Sequence, residues 1–92
     1  MEQANNFVNG LIQDIQKDSI SSQVPEGARA EFITLQNGAL LRIEKLHKGW
    51  QDSLKAGKAE PFPQREILQE AMKYKVGKAK WDEKYSVYSQ LP

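Results

Sequence analysis

The sequence predicts an all-α protein in which a short N-terminal helix packs on a long antiparallel helical hairpin, a three-helix arrangement. Two patterns support this: an apolar stripe of helical period from position 28 to 54, and a heptad spacing of mostly apolar residues from 67 to 88. The loop between them holds two prolines, which prevent the first helix from continuing into the second. A chain of this length is expected to form a single domain, residues 1–92.

Residues 4–18 are predicted to form the first helix, which is amphipathic. Asn5 or Asn6 can cap its start, because the side chain accepts a hydrogen bond from a free backbone amide. Its apolar face is broad and is expected to lie across the hairpin. The residues of that face are Ala4, Phe7, Val8, Leu11, Ile12 and Ile15.

The second predicted helix runs from Pro25 to Ala56, about 45 Å at 1.5 Å per residue. Pro25 suits the first turn because its missing N–H is not needed there, and Gly57 is a good stop signal. Apolar residues recur in steps of three, four and four, which keeps them on one side of a nearly straight helix. The stripe consists of Ala28, Phe32, Leu35, Ala39, Ile43, Leu46, Trp50 and Leu54.

An alternative α+β fold would place a β-hairpin at residues 30–46. Asn37-Gly38 between two apolar runs is the strongest local signal for a tight hairpin turn. However, one face of that hairpin would combine apolar residues with Arg42, and the helical stripe passes through the dipeptide without a break. We therefore favour the helix, in which Gly38 costs about 1 kcal/mol relative to alanine.

Residues 64–89 are predicted to form the last helix, about 39 Å long, which can run antiparallel along the second. Phe62, between the two prolines of the loop, is expected to plug the end of the bundle. Gly77 is expected to weaken or bend the helix, and Lys78 is the only polar residue of its seam. The seam consists of Ile67, Ala71, Tyr74, Lys78, Trp81, Tyr85 and Tyr88.

The composition argues against an enzyme, and no cofactor is expected. The absence of cysteine excludes disulfides, thiolate zinc sites and cysteine nucleophiles. His47 is the only histidine, so no metal site is predicted. The chain also lacks the nucleophile elbow of the hydrolases, a phosphate-binding glycine loop and a dinucleotide fingerprint.

The lack of cysteine fits a cytoplasmic protein, and the hydropathy of the chain predicts no membrane partner. No apolar run approaches the roughly 18 residues that a membrane span needs, and the N-terminus has no positive charge of the kind that opens a signal peptide.

The net charge is only +1, but the charges are unevenly distributed. Residues 1–44 hold three basic and six acidic side chains, whereas residues 45–92 hold ten basic and six acidic ones. Charge that a partner could recognise is therefore concentrated in the second half.

The predicted function is a non-enzymatic protein–protein interaction module. A chain this short buries only about 60–65% of its unfolded surface, and it has no disulfide or metal to add stability. We expect a homo-oligomer, or a small adaptor or inhibitor on a larger complex, in the style of phage and plasmid accessory proteins. The candidate contact residues lie outside the predicted core or at the aromatic C-terminal end: Ile33, Leu41, Val76, Tyr85 and Tyr88.

Nucleic-acid binding is the alternative prediction. Lysines interleaved with aromatic residues are typical of surfaces where ammonium groups meet phosphates and rings stack on bases. The candidates are Lys73, Lys75, Lys80 and Lys84. A third hypothesis is a small-molecule or nucleotide site at an oligomer interface.

Overall fold

The structure, a computed structural model, describes residues 2–20 and 22–89, with side chains for 2–20 and 22–87. The described residues form no β-strand, which confirms the all-α prediction. The molecule is a rod with extents of 54 × 20 × 18 Å. Its helices are α1 (Glu2–Gln16), α2 (Glu26–Lys55), α3 (Gln64–Lys84) and the one-turn α4 (Ser86–Ser89).

α2 and α3 form the predicted antiparallel hairpin, and the two predicted stripes face each other. Trp81, near the end of α3, donates a hydrogen bond from its indole N–H to the carbonyl oxygen of Ala28, near the start of α2, at 2.9 Å. All buried residues of the two helices belong to the predicted stripes. They are Ala28, Phe32, Ala39 and Ile43 from α2, and Ile67, Ala71, Tyr74 and Trp81 from α3.

The alternative hairpin at residues 30–46 is wrong, because this whole segment lies inside α2. Gly38 is covered by the guanidinium group of Arg42: a β-carbon at position 38 would lie 3.1 Å from Nη1. Arg42 Nε in turn donates to the Glu70 carboxylate of α3 at 2.6 Å. The glycine therefore makes room for a side chain that links two helices, rather than forming a turn.

α1 begins and ends two residues earlier than the predicted range 4–18. The last carbonyls of a helix have no partner within it, and Gln36 of α2 reaches this end. Its side-chain N–H donates to the carbonyl oxygens of Ile15 at 2.7 Å and Asp18 at 3.2 Å. The Tyr74 hydroxyl of α3 donates to the Asp18 carboxylate at 2.7 Å. These hydrogen bonds tie the end of α1 to both long helices.

The core is completed by the predicted apolar face of α1. Val8 and Ile15 are buried at 0% and 3% exposure. Phe7, Leu11 and Ile12 are partly buried against the same cluster. α1 therefore lies across the hairpin, as predicted.

α2 ends at the predicted stop signal. Gly57 has a φ of 81°, a left-handed conformation that glycine adopts without steric cost. Its N–H bonds to the carbonyl of Leu54 at 3.1 Å, and the N–H of Lys58 bonds to that of Ser53 at 2.9 Å. This pair of hydrogen bonds is a Schellman motif, and it turns the chain into the loop that leads to α3.

Aromatic rings close the loop end of the bundle. The Phe62 ring packs edge-on against Trp50 at 5.0 Å and against Phe7 at 6.0 Å between centroids. His47 stacks on Trp50 at 6.2 Å. Phe62 thus plugs this end, as predicted.

At the other end, the predicted helix 64–89 is interrupted. Tyr85, with φ −113° and ψ 26°, ends α3, and α4 follows. The Tyr85 hydroxyl donates to the Glu31 carboxylate of α2 at 2.6 Å, and its ring lies 5.3 Å from Trp81. Trp81 also packs on Phe32 at 5.2 Å. α3 therefore ends at Tyr85, where the chain contacts α2, although the heptad pattern in the sequence continues to position 88.

Candidate protein interface

α3 carries apolar residues on two sides of the helix, and only one of these two sides is buried against α2. On the other side, Leu68, Met72 and Val76 are 38%, 63% and 53% exposed. Ala79, the next residue in this series, is also exposed. Spacings of four, four and three place these residues along one side of the helix. We call these four residues the outer row.

Two opposite charges lie at the ends of the outer row. Arg65 precedes it and Glu83 follows it, separated by five full turns at 3.6 residues per turn. They project in the direction of the row, about 27 Å apart along the helix. Neither side chain has an ion-pair or hydrogen-bond partner in the part of the chain that the structure describes. Both charges are therefore available to another molecule.

Lysines flank the outer row on both sides. Measured from the centre of the row, Lys73 and Lys80 lie roughly a quarter turn to one side, and Lys75 lies about a sixth of a turn to the other. Lys73 is 3.5 Å from the Glu70 carboxylate, whereas Lys75 and Lys80 have no ion pair with any described residue. The surface around the row is thus mainly cationic, but Glu83 and Asp82 are acidic exceptions near the end of α3. Asp82 lies seven residues after Lys75 on the same flank and is paired with Lys78 at 3.1 Å.

The surface beside the outer row has depressions that could accept side chains. One of about 620 Å³ is lined by Met72 and Val76, and another of about 210 Å³ is lined by Leu35 and Trp81. Both border on Gly77. A β-carbon at Gly77 would lie 2.8 Å from Leu35 Cδ1, so glycine lets α2 approach α3 closely and adds no side chain between the two depressions.

Among the predicted contact residues, Val76 belongs to the outer row but Ile33 and Leu41 do not. Both lie on α2, at 48% and 68% exposure. Leu41 is two residues from both Ala39 and Ile43, which are fully buried, so it points away from the hairpin core. The three predicted residues therefore lie on two helices and point in different directions.

Of the two tyrosines predicted as contact residues, only Tyr85 has a side chain that the structure describes. The half-buried Tyr85 ties α3 to α2 through its hydrogen bond to Glu31 and its contact with Trp81. The hydrogen bond from the Tyr85 hydroxyl holds the pKa of Glu31 below its usual range. The side chain of Tyr88 lies outside the described residues.

The four lysines predicted to bind nucleic acid do not share one surface. Lys73, Lys80 and Lys84 follow one another by seven and four residues, so they lie on the same side of α3. Lys75 lies elsewhere, in a depression of about 290 Å³ that Asp18 also lines. The surface that could face a phosphate backbone is therefore limited to three lysines.

Two of these three lysines already contact carboxylates. Lys84 lies 3.5 Å from Glu31 and 5.1 Å from the centroid of the Tyr85 ring, and Lys73 is paired with Glu70. The Tyr85 hydroxyl, followed by the charge of Glu31, raises the pKa of Lys84. These carboxylates reduce the positive potential that a phosphate backbone would meet.

Most of the outer row was not predicted from the sequence. The heptad seam was enough to place α3, and Val76 was the only residue of the row identified outside that seam. Leu68 and Met72 directly follow the seam residues Ile67 and Ala71, so a search for a second helical series on the same segment would have found them. The helical spacing of these residues was the sequence signal that could have identified the row.

No group of three metal-ligating side chains comes together among the described residues. In the same part of the chain, no helix combines the length and the apolarity that crossing a membrane requires. Comparison with protein-family models, curated proteins and solved structures gives no match. The case for a function therefore depends on the geometry of this chain alone.

Proposed function

We propose that this chain is a non-enzymatic protein–protein interaction module that binds an acidic amphipathic helix of another protein along the outer row of α3. The observation that supports this most directly is the row itself, whose large apolar side chains are 38% exposed or more on a helix already buried on its other side. Single exposed apolar residues are ordinary, but a contiguous apolar stripe is typical of an interaction site. A partner helix would lay its own apolar residues along the row.

The charges around the row favour an acidic partner. Carboxylates on both sides of the partner's apolar stripe would lie opposite Lys75 on one flank and Lys73 and Lys80 on the other. Such complementarity steers association and suppresses wrong partners. Glu83 gives the site a direction, because a basic residue of the partner fits only at that end.

A second copy of this chain is the less favourable occupant. In an antiparallel pair, Arg65 of one copy would face Glu83 of the other. However, Lys73 and Lys75 would lie close to the same residues of the second copy, and like charges at an interface oppose association. We therefore expect no dimer through the outer row, and the test below includes a measurement that would detect one.

The test uses two designed helical peptides with the same apolar stripe, in which leucines follow the spacing of the outer row. Glutamates flank the stripe in one peptide and lysines flank it in the other. Fluorescence anisotropy of each labelled peptide, titrated with the full chain, gives a Kd. We expect the acidic peptide to bind at least about tenfold more tightly at low salt. The double variant Met72→Glu/Val76→Glu should weaken that binding at least about tenfold.

Leu41→Glu is the matched control, because Leu41 is about as exposed as Met72 but lies outside the row. It should change the Kd less than about twofold, and circular dichroism checks that each variant stays helical. Equal binding of the two peptides, an equal loss in Leu41→Glu, or binding to anionic vesicles instead of the peptide would overturn the proposal. If sedimentation shows a dimer that the double variant abolishes, the molecule that binds the outer row is a second copy of this chain and not a helix of another protein.

Nucleic-acid binding is the second candidate, supported by the common side of Lys73, Lys80 and Lys84. Binding through phosphates weakens steeply with salt, whereas an apolar interface is much less sensitive. A labelled single-stranded oligonucleotide titrated at two salt concentrations, with wild type and with the three lysines replaced by glutamine, separates the two functions. Binding by wild type that the triple variant loses would favour nucleic acid.

We also infer a cytoplasmic location, which the lack of cysteine supports.

A further inference from the structure

An open groove of about 580 Å³ lies between the second half of α2 and the loop that leads to α3. Known small-ligand sites span about 300–1,000 Å³. Its apolar lining comes from Leu46, Trp50, Pro61 and Pro63. Gly49, which also lines the groove from α2, adds no side chain at its own position. We call this site the loop groove, and no residue of the outer row lines it.

Contacts within the chain hold the loop side of the groove in place. The indole N–H of Trp50 donates to the carbonyl oxygen of Glu60 at 3.0 Å, and the Phe62 ring packs edge-on against Trp50 at 5.0 Å. The prolines on either side of Phe62 restrict the backbone further. Because the indole N–H is already bonded, Trp50 offers the groove mainly apolar surface. The site is therefore formed before any ligand arrives.

The loop groove carries opposite charges at its two ends. Arg42, Lys45 and Glu70 line the end nearer the middle of α2, and Glu60 lines the loop end. Arg42 is paired with Glu70 at 2.6 Å. Lys45 and the Glu60 carboxylate have no ion-pair partner in the described part of the chain.

We propose that the loop groove binds a short extended peptide segment in which an acidic and a basic residue flank apolar residues that include proline. The acidic residue would lie against Lys45 and the basic residue against Glu60. Proline-containing segments suit a groove lined by aromatic and proline rings, because their preformed conformation loses little entropy on binding.

The experiment uses the peptide acetyl-Glu-Pro-Leu-Pro-Lys-amide and the full chain labelled with ¹⁵N. We expect the indole N–H resonance of Trp50 to shift on titration, and Gly49→Leu to weaken binding at least about tenfold because leucine would occupy the groove. Gly27→Leu is the matched control, since it lies on the same helix but outside the groove and should change the Kd less than about twofold. An added side chain meets no atom within 4 Å at its β-carbon at either position, so both variants should fold.

A charge test addresses the orientation of the ligand. Wild type should prefer the probe at least about tenfold over the same peptide with lysine in place of glutamate, and Lys45→Glu should remove or reverse that preference. The proposal is overturned if Trp50 does not respond to about 1 mM peptide, if the two glycine variants bind equally, or if Lys45→Glu keeps the preference. The Met72→Glu/Val76→Glu variant should bind the probe as wild type does, so failure at the outer row and failure at the loop groove are distinguishable.

Discussion

Gly77 of α3 and Leu35 of α2 are in direct contact where the two long helices pack. A β-carbon at position 77 would lie 2.8 Å from Leu35 Cδ1, closer than two carbon atoms approach without one of them moving. Gly77 was expected to weaken or bend α3, but the helix continues through it. The residue instead lets the two helices come close together.

Gly77→Ala is therefore expected to gain none of the stability that alanine usually brings to a helix. Replacing glycine by alanine in a helix interior stabilises by about 1 kcal/mol, but an extra methyl group in a packed contact costs about 1–3 kcal/mol. Gly49→Ala, where the β-carbon meets open space, should give the full gain. Urea unfolding followed by circular dichroism measures both. Equal stabilisation by the two variants would show that Leu35 simply rotates away.

A second prediction concerns the hydrogen bond from Tyr74 to Asp18. Tyr74 is 2% exposed, and its hydroxyl donates to the Asp18 carboxylate at 2.7 Å. Tyr74→Phe should lower the free energy of unfolding at neutral pH by about 1–3 kcal/mol, because a hydrogen bond to a charged group is lost. Urea unfolding of the two proteins measures this difference directly.

The same pair predicts a dependence on alkaline pH. Burial, followed by the hydrogen bond to Asp18, raises the pKa of Tyr74 above its ordinary value of 10.0. A raised pKa in the folded state contributes stability that is present below the unfolded pKa and is lost as the pH rises above it. The advantage of wild type over Tyr74→Phe should therefore shrink above pH 10, by up to about 1.4 kcal/mol per pH unit. An advantage that stays constant between pH 8 and 11 would contradict this origin of the stability.

A third prediction concerns the ion pair between Arg42 and Glu70. The hydrogen bond from Arg42, followed by the charge of Lys73, holds the pKa of Glu70 below its usual range. A lowered pKa contributes stability that is present above the unfolded value and is lost as the pH falls through the folded value. Arg42→Gln should thus destabilise by about 0.5–1 kcal/mol at neutral pH, and by much less once Glu70 is protonated.

The exposed pair Lys17–Asp14 supplies the control for this prediction. Both of its side chains are more than 60% exposed, whereas the Glu70 side chain is 15% exposed. Lys17→Gln should therefore change the free energy of unfolding little, because solvent screens the pair. An equal effect of Lys17→Gln, or a loss in Arg42→Gln that persists in acid, would show that the Arg42–Glu70 geometry contributes nothing specific.

The architecture could be predicted from the sequence because it depends on local periodicity. The stripe that includes Phe32 and Ile43 and the seam that includes Ile67 and Trp81 each follow a helical spacing, and each is buried where predicted. The same periodicity outweighed the turn signal of Asn37-Gly38. Features that repeat along one segment are therefore the ones that sequence reasoning recovers.

Features that depend on distant parts of the chain could not be predicted in this way. The seam pattern continues past Tyr85, but that residue reaches Glu31, far away in sequence, and α3 ends there. The loop groove likewise combines Lys45 and Trp50 with loop residues that only the fold brings near. The outer row is an intermediate case, since its spacing is local but its exposure depends on which side of α3 faces α2.

The last prediction concerns Gln36, whose side chain bonds the carbonyl oxygens of Ile15 and Asp18 at the end of α1. Gln36→Leu removes both hydrogen bonds and should lower the free energy of unfolding by about 1–2 kcal/mol. The loss should be local, because these bonds join α1 to α2, so hydrogen exchange should accelerate in the last turn of α1 more than in the middle of α2. Asn37→Leu, at the exposed neighbouring position, should leave exchange in α1 unchanged. A uniform acceleration in Gln36→Leu would mean that the residue stabilises the whole bundle rather than the end of α1.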